Sequence, residues 1–462
     1  MIMRIEIKSK ENLAEILRLM GVSPDLRCGG RGICGRCKVK LLSGKWLSDK
    51  KIITAPADAP ACRTSLLSDT GEIEFINRLS DGVIPVSFHC ENFTMPGNGS
   101  VIGIDIGTTT LAAVKMCGGK ITASAGAFNP QISYGDNVMS RIAASAQGHL
   151  SELQRLLHEA VDGLLEKLSV DGVERAVLSG NTVMMSIFHG IDPVTIGSYP
   201  FTAPVLCFPA IKRKAMDILT LPCASGFIGG DFVAGIKEVA LQPGDLLIDI
   251  GTNCEMALNT GSEIICTSAA AGPAFEGAGL TCGMRGAGQA VMRMNDDFSF
   301  STVSGVEAEG ICGSGYVDFL AVCRRKKIID EFGRFCDGRA KYEFFEKCFV
   351  TESDIEQLLK AKAAIYAGIV SLEKFYNTPV RRIFCAGGFA EFTDLKNAVA
   401  IGMLPDRECR AVGNTSLAGA LRVAAQPELM TGYIETAQGI REVFLNDLAG
   451  FEENFIDALL LP

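Results

Sequence analysis

The sequence predicts an α/β protein in two unlike parts, a small cysteine-rich β domain followed by a long, duplicated α/β domain. Three observations carry that expectation. A Cys/Gly-rich loop lies within a basic first 80 residues. Strands alternate with helical patterns from Val101 onward. An Asp-Ile-Gly-Thr segment at 105–108 recurs at 249–252.

Composition sets the frame. The 462 residues are 48% hydrophobic and 21% charged, with fifty Gly, which excludes a mostly disordered or collagen-like chain. The net charge of −9 argues against nucleic acid as a partner. It divides into +5 over residues 1–80 and −14 over the remainder, as expected of domains with different partners. The start of the chain alternates apolar and polar residues without a signal core, and no run of 18 apolar residues is present. Seventeen Cys, an odd number, without a secretion signal fit a reducing compartment, so a cytoplasmic location is expected.

In chain order, residues 3–7 read as a strand and Glu11–Met20 as a short amphipathic helix with Leu13, Ile16, Leu17 and Met20 on one face. The Cys/Gly loop runs into a strand at Cys37–Leu42, and a later strand falls at Glu72–Asn77. Within the loop, Cys28, Cys34 and Cys37 give C-x5-C-x2-C, and Cys62 follows. Plant-type [2Fe–2S] sites use C-x4-C-x2-C plus a distant fourth Cys; the extra residue in the first gap matches adrenodoxin-like ferredoxins. Glycines let backbone N–H groups turn toward sulfur, and Arg27, Arg31, Arg36 and Arg63 offset the thiolate charge. A structural zinc site is the alternative, but zinc ribbons pair two C-x2-C knuckles and one is present. Residues 81–100 read as a linker ending in the turn-rich Pro96–Ser100.

Beyond the linker the chain repeats itself. Val101–Val114 is echoed by Leu246–Leu258, each a buried-type strand, Asp-Ile-Gly-Thr, then a second apolar strand, and so a β-hairpin. A second echo pairs Ala176–Thr182 with Ile383–Ala390, strands that end in glycine turns. Such a long period means two duplicated lobes. A hairpin turn of Gly and Thr presents N–H and hydroxyl groups to phosphate, which assigns Gly107, Thr108, Thr109, Gly251 and Thr252 to phosphate binding. Asp105 and Asp249 at the strand ends would manage Mg²⁺ or orient an attacking water. Gly387 and Gly388 leave room for an adenosine against the backbone. One such hairpin alone would be an ordinary tight turn; two at duplicated positions with a late Gly-Gly turn favour nucleotide binding. Glu276 and Arg285 are further cleft candidates. His89, His149, His158 and His189 show no metal spacing.

Residues 1–80 resemble the β-grasp [2Fe–2S] ferredoxins, although a single strand precedes Glu11 where such domains usually open with a hairpin. Residues 101–462 resemble the actin/Hsp70/sugar-kinase ATPase superfamily, a ribonuclease H-like fold. The whole chain resembles the reductive activators of corrinoid proteins. The matching segments include Asn129–Gln131 with Tyr134–Asp136, Ser179–Met184, Ala271–Gly277, Gly283–Arg285, Cys312–Gly315, Gly413–Ala420 and Phe451–Pro462. Larger members carry an additional domain that a linker over 81–100 cannot hold.

The resemblance implies a ferredoxin domain at 1–80, lobe 1 at 101–245 and lobe 2 at 246–462. It implies a [2Fe–2S] cluster, ATP and Mg²⁺, and an enzyme that regenerates Co(I) from Co(II) in a corrinoid protein at the expense of ATP. The partners implied are that corrinoid protein, an external low-potential electron donor and a second copy in a homodimer. Rival readings are another low-potential acceptor, a redox-regulated small-molecule kinase, and an ATP- and redox-gated binding module without turnover.

Overall fold

The computed structural model of the chain describes residues 2–20, 24, 26, 30, 32, 37–76, 99–135, 137–213, 216–345 and 348–462. Cys28, Cys34, Arg27, Arg31, Arg36, His89, Asp136 and nearly all of the 81–100 segment lie outside the described residues.

The N-terminal part comprises β1 (Ile2–Ile7), α1 (Leu13–Leu19), β2 (Lys38–Ser43), β3 (Lys45–Ser48), β4 (Lys51–Thr54), β5 (Ala57–Pro60), β6 (Thr64–Leu66) and β7 (Gly71–Ile76). An antiparallel sheet runs β1-β7-β2-β5, beside a small sheet β4-β3-β6. With no opening hairpin, β1 pairs with β7, Ile5 opposite Ile73. Helix α1 starts where the Asn12 side chain accepts the Ala14 N–H (3.0 Å). It buries Leu13, Ile16 and Leu17 in one core with Trp46. Met20 is 51% exposed instead of sharing that face, because the helix ends at Leu19 and Met20 is its cap.

The first lobe comprises β8 (Ser100–Ile106), β9 (Thr110–Cys117), β10 (Lys120–Phe128), α2 (Val138–Ala144), α3 (Leu150–Leu168), β11 (Val173–Gly180), α4 (Thr182–Phe188), β12 (Ile211–Arg213), β13 (Met216–Thr220) and α5 (Gly230–Val239). Its sheet runs β10-β9-β8-β11-β13-β12. The apolar stripe of α3 (Leu153, Leu157, Val161, Leu164, Leu165 and Leu168) packs on one face of it.

The second lobe begins with β14 (Asp245–Ile250), β15 (Cys254–Asn259), β16 (Ile264–Ala269), β17 (Ala290–Met294), β18 (Phe300–Thr302), β19 (Gly310–Ile311) and α6 (Gly313–Arg325). It continues with β20 (Lys341–Phe345), β21 (Cys348–Thr351), α7 (Glu352–Phe375), β22 (Arg382–Ala386), α8 (Gly387–Phe392), α9 (Leu395–Ala400) and β23 (Glu408–Gly413). The last elements are α10 (Thr415–Ala425), α11 (Met430–Gly439), β24 (Ile440–Glu442) and α12 (Phe451–Asp457). Its sheet runs β23-β22-β14-β15-β16-β24.

The duplication is visible in the pairing. In each lobe the first strand lies between its antiparallel hairpin partner and a parallel strand, β8 between β9 and β11, β14 between β15 and β22. Helices α5 and α10 cross between the two sheets. Val233, Ala234 and Leu417 pack with β8 residue Val101, whereas Phe232 and Ile236 pack with Leu247 and Phe384 of the second sheet. The crossing demands small residues: a Cβ on Gly103 would lie 2.8 Å from the Leu421 backbone nitrogen, and one on Gly419 would lie 2.7 Å from the Ala234 Cβ. Among the described residues no helix is long and apolar enough to cross a membrane.

Candidate functional site

Both Asp-Ile-Gly-Thr segments form the expected hairpins. In the first, Ile106 faces Leu111 and the Gly107 N–H donates to the Thr110 carbonyl (2.9 Å). In the second, Ile250 faces Cys254 and the Gly251 N–H donates to the Asn253 carbonyl (3.1 Å). The two turns meet across one cleft, which brings Gly107, Thr108, Thr109, Asp249, Gly251 and Thr252 together. Thr108 Oγ1 accepts from Asn181 Nδ2 (3.1 Å), and the Thr252 hydroxyl donates to Glu276 (2.7 Å). Arg285 stacks over Phe128, with Cζ 5.5 Å from the ring centroid, joining the lobes.

Asp105 stands behind this lining. It accepts from Asn414 Nδ2 (2.8 Å) and Ser416 Oγ (2.7 Å) at the start of α10. The cleft holds two carboxylates that sequence reasoning missed, Asp231 and Glu255. Asp231 opens α5, where an acidic residue is ordinarily read as helix-dipole complement. The adjacent Gly229 was the available signal: a Cβ there would lie 2.4 Å from the Asn181 Cα, so this turn is pressed against the cleft wall. Glu255 follows the second turn on β15 and looked like an ordinary strand residue.

These acids crowd one another. Desolvation pushes Asp231 up to about 7, with Asp105 and Asp249 adding to it. Asp249 rises to about 6 by desolvation, then by Asp105 and Glu276. Desolvation also raises Asp105, against its bonds to Ser416 and Asn414, and raises Glu255 well above the usual range. Neither Lys nor Arg is found among the described residues lining the cleft. A polyphosphate there would be met by backbone N–H groups, hydroxyls and a divalent cation. Among the described residues no three acidic, His or Cys side chains cage a metal ion. That suits Mg²⁺, which takes one or two carboxylates and completes its shell with phosphate and water.

Gly387 and Gly388 lie outside the lining described above. Gly387 has φ +84°, and a Cβ on it would sit 2.4 Å from Asp249 Oδ1, so its bareness makes room for that carboxylate. A Cβ on Gly388 would meet open space. The described histidines serve packing: His158 Nε2 contacts the Phe188 carbonyl (2.9 Å), and His189 contacts Thr220 Oγ1 (2.9 Å).

Of the four candidate cluster ligands, Cys37 and Cys62 are described, and both are buried. Their side chains are hydrogen-bonded, which lowers the Cys37 thiol to about 6 and favours thiolate. Gly30 and Gly32 both have φ near +75°. A Cβ on Gly30 would lie 3.9 Å from the Cys62 Cβ, and one on Gly32 would strike the Arg63 side chain. Two thiols in contact, with Gly30 beside Cys62 and Gly32 against Arg63, fit a thiolate-bound cluster. Cys28 and Cys34 lie outside the described residues. Among the other thiols, Cys254 is buried in the apolar core, the Cys312 thiol donates to the Val291 carbonyl (3.2 Å), and Cys282 accepts the Phe349 N–H (3.3 Å).

Fold and site together define a two-lobed nucleotide-binding domain of the actin and sugar-kinase type joined to a [2Fe–2S] ferredoxin domain. Three family models agree: the 2Fe-2S iron-sulfur cluster binding domain over residues 3–67, the RACo middle region over 101–243, and the C-terminal ASKHA domain of RACo over 244–462. The chain belongs to the RACo family. It is 30% identical over 378 residues to the corrinoid activation enzyme RamQ of Eubacterium limosum, covering 69% of this chain and 63% of the relative. It is 26% identical to the [Co(II) methylated amine-specific corrinoid protein] reductase of Methanosarcina barkeri, covering 66% of each. The chain thus spans just under two thirds of the length of these curated relatives. The solved reductive activator for corrinoid, iron–sulfur protein superposes with a TM-score of 0.71 at 26% identity, over 99% of this chain and 96% of that one.

Proposed function

We propose that this chain is an ATP-dependent reductive activator that returns a corrinoid protein from Co(II) to Co(I). The observation that carries the reading is the joining, in one chain, of a cysteine loop fit for a cluster to a two-hairpin cleft fit for Mg-ATP. Cys28, Cys34, Cys37 and Cys62 would hold a [2Fe–2S] cluster, which would supply a one-electron carrier. Gly107, Thr108, Thr109, Gly251 and Thr252 bind phosphate, and Gly387 and Gly388 border the adenosine. Asp249 would hold the hydrated Mg²⁺ with Asp105 supporting it from behind the lining, and Asp231 would take the proton of the attacking water. Domain limits of 1–80, 101–245 and 246–462, with a linker between the first two, accompany this reading, as do an external low-potential donor, a homodimer and a cytoplasmic location.

The need for ATP is thermodynamic. Plant-type [2Fe–2S] centres lie near about −400 mV, and each 59 mV uphill costs about tenfold in a one-electron equilibrium. A corrinoid Co(II) harder to reduce than that requires coupling, which nucleotide-driven movement of the lobes would supply through the contact with the corrinoid protein. The test is ATP hydrolysis by the reduced protein with and without a Co(II) corrinoid protein. Stimulation by that partner is expected; a rate indifferent to it would count against the reading.

A further inference from the structure

The segment Asn129–Gln131 with Tyr134 and Gly135 has no part in the chemistry above, yet it connects two sites. Asn129, Gln131 and Arg141 are each wholly buried. Asn129 donates from Nδ2 to the Gly107 carbonyl (3.0 Å) and from its backbone N–H to the Thr109 carbonyl (2.9 Å). Arg141 donates from Nε to Gln131 (3.2 Å), from Nη2 to the Thr108 carbonyl (3.3 Å) and from Nη1 to the Gly135 carbonyl. Gln131 Nε2 continues to the Leu153 carbonyl on α3 (2.8 Å). The carbonyls of residues 107, 108 and 109 are therefore all gripped from one unit. In a trans peptide the next N–H points opposite its carbonyl, so this grip sets where the N–H groups of Thr108, Thr109 and Thr110 point, and those residues line the cleft.

The same turn ends at Tyr134, which meets the N-terminal domain. Arg18 on α1 places its Cζ 4.4 Å from the Tyr134 ring centroid, and the His149 ring lies 5.3 Å from the same centroid. At its opposite end α1 is tied to the fourth candidate ligand, because Asn12 Nδ2 donates to the Cys62 carbonyl (3.0 Å). One short helix and one turn thus run from Cys62 to the phosphate loop.

We infer that Asn129, Gln131 and Arg141 are positioning residues for the first phosphate loop, and that Tyr134, at the end of the same turn, seats helix α1, so that nucleotide occupancy is felt at the ferredoxin domain. This rests on the nucleotide reading of the cleft. The test uses the full-length, cluster-containing protein and a non-hydrolysable ATP analogue with Mg²⁺. Hydrogen–deuterium exchange is followed in residues 13–19, and nucleotide affinity is measured by calorimetry. In the wild type the analogue slows exchange in α1 by about threefold. Tyr134→Ala and, independently, Arg18→Ala abolish that response while affinity stays within about twofold, because neither touches the cleft. Gln131→Leu, which strips a partner from buried Arg141, weakens the analogue by about tenfold. Tight binding with an unresponsive α1, or a response that survives both variants, overturns the inference and leaves the cleft reading standing. Failure of the analogue to bind the wild type overturns both.

Discussion

The cleft carboxylates concentrate the chemistry at the residue scale. An Asp held at about 7 is half-ionised near neutrality, where a general base works best. Asp231→Asn is therefore expected to lower ATP hydrolysis by about 10²-fold or more while nucleotide affinity changes little; a variant that hydrolyses ATP at the wild-type rate would remove Asp231 from the mechanism. The same shifts make a pH prediction. Unfolded, Asp231 and Asp249 titrate near their ordinary value of 3.8, whereas folded they hold protons up to about 7 and 6. Between those limits the native state binds more protons, so the nucleotide-free protein loses stability as pH rises from about 4 through 7. Mg-nucleotide binding needs an ionised Asp249 and strengthens as pH rises through about 6. Titration calorimetry from pH 5.5 to 8 checks the binding, and in scanning calorimetry Asp231→Asn removes the loss of stability near neutrality. Asp105 and Asp249 were readable from the sequence because each ends a duplicated strand. Asp231 and Glu255 were not, because their role comes from two lobes folding face to face.

At the scale of elements, the hairpins were readable because Asp-Ile-Gly-Thr is flanked by continuous apolar runs, which only a buried strand accommodates. The partners of β1 were not, since pairing with β7 crosses most of the domain in sequence. Met20 was misplaced because helix periodicity continues one residue past the last helical residue. Two glycines test the packing. Gly387→Ala places a Cβ against Asp249 at a positive φ, and is expected to cost about 1–2 kcal/mol of stability and to weaken nucleotide binding. Thermal unfolding and calorimetry report the two effects separately. Gly103→Ala lies outside the cleft lining, where β8 meets α10. It is expected to destabilise by about 1–3 kcal/mol and, by wedging the inter-sheet helices, to slow hydrolysis with affinity nearly intact. Loss of affinity equal to the loss of rate would show that the crossing does not govern lobe movement.

For the whole molecule, the uneven charge has a physical counterpart. The basic N-terminal part sets Arg18 against Tyr134, near Glu152, whose charge and that of Arg18 act on the same ring on a body that is otherwise acidic. The two-part architecture could be read from the cysteine spacing and the internal repeat. The seat of the ferredoxin domain could not, since a cation over a ring leaves no pattern in a sequence. The central claim is that ATP in the cleft drives an uphill electron transfer out of the cysteine loop. Its most direct test is cobalt spectroscopy on the reduced holoprotein mixed with a Co(II) corrinoid protein, with and without Mg-ATP. The account predicts that Co(I) accumulates with Mg-ATP and stays at a small equilibrium fraction without it; equal accumulation in both would contradict it.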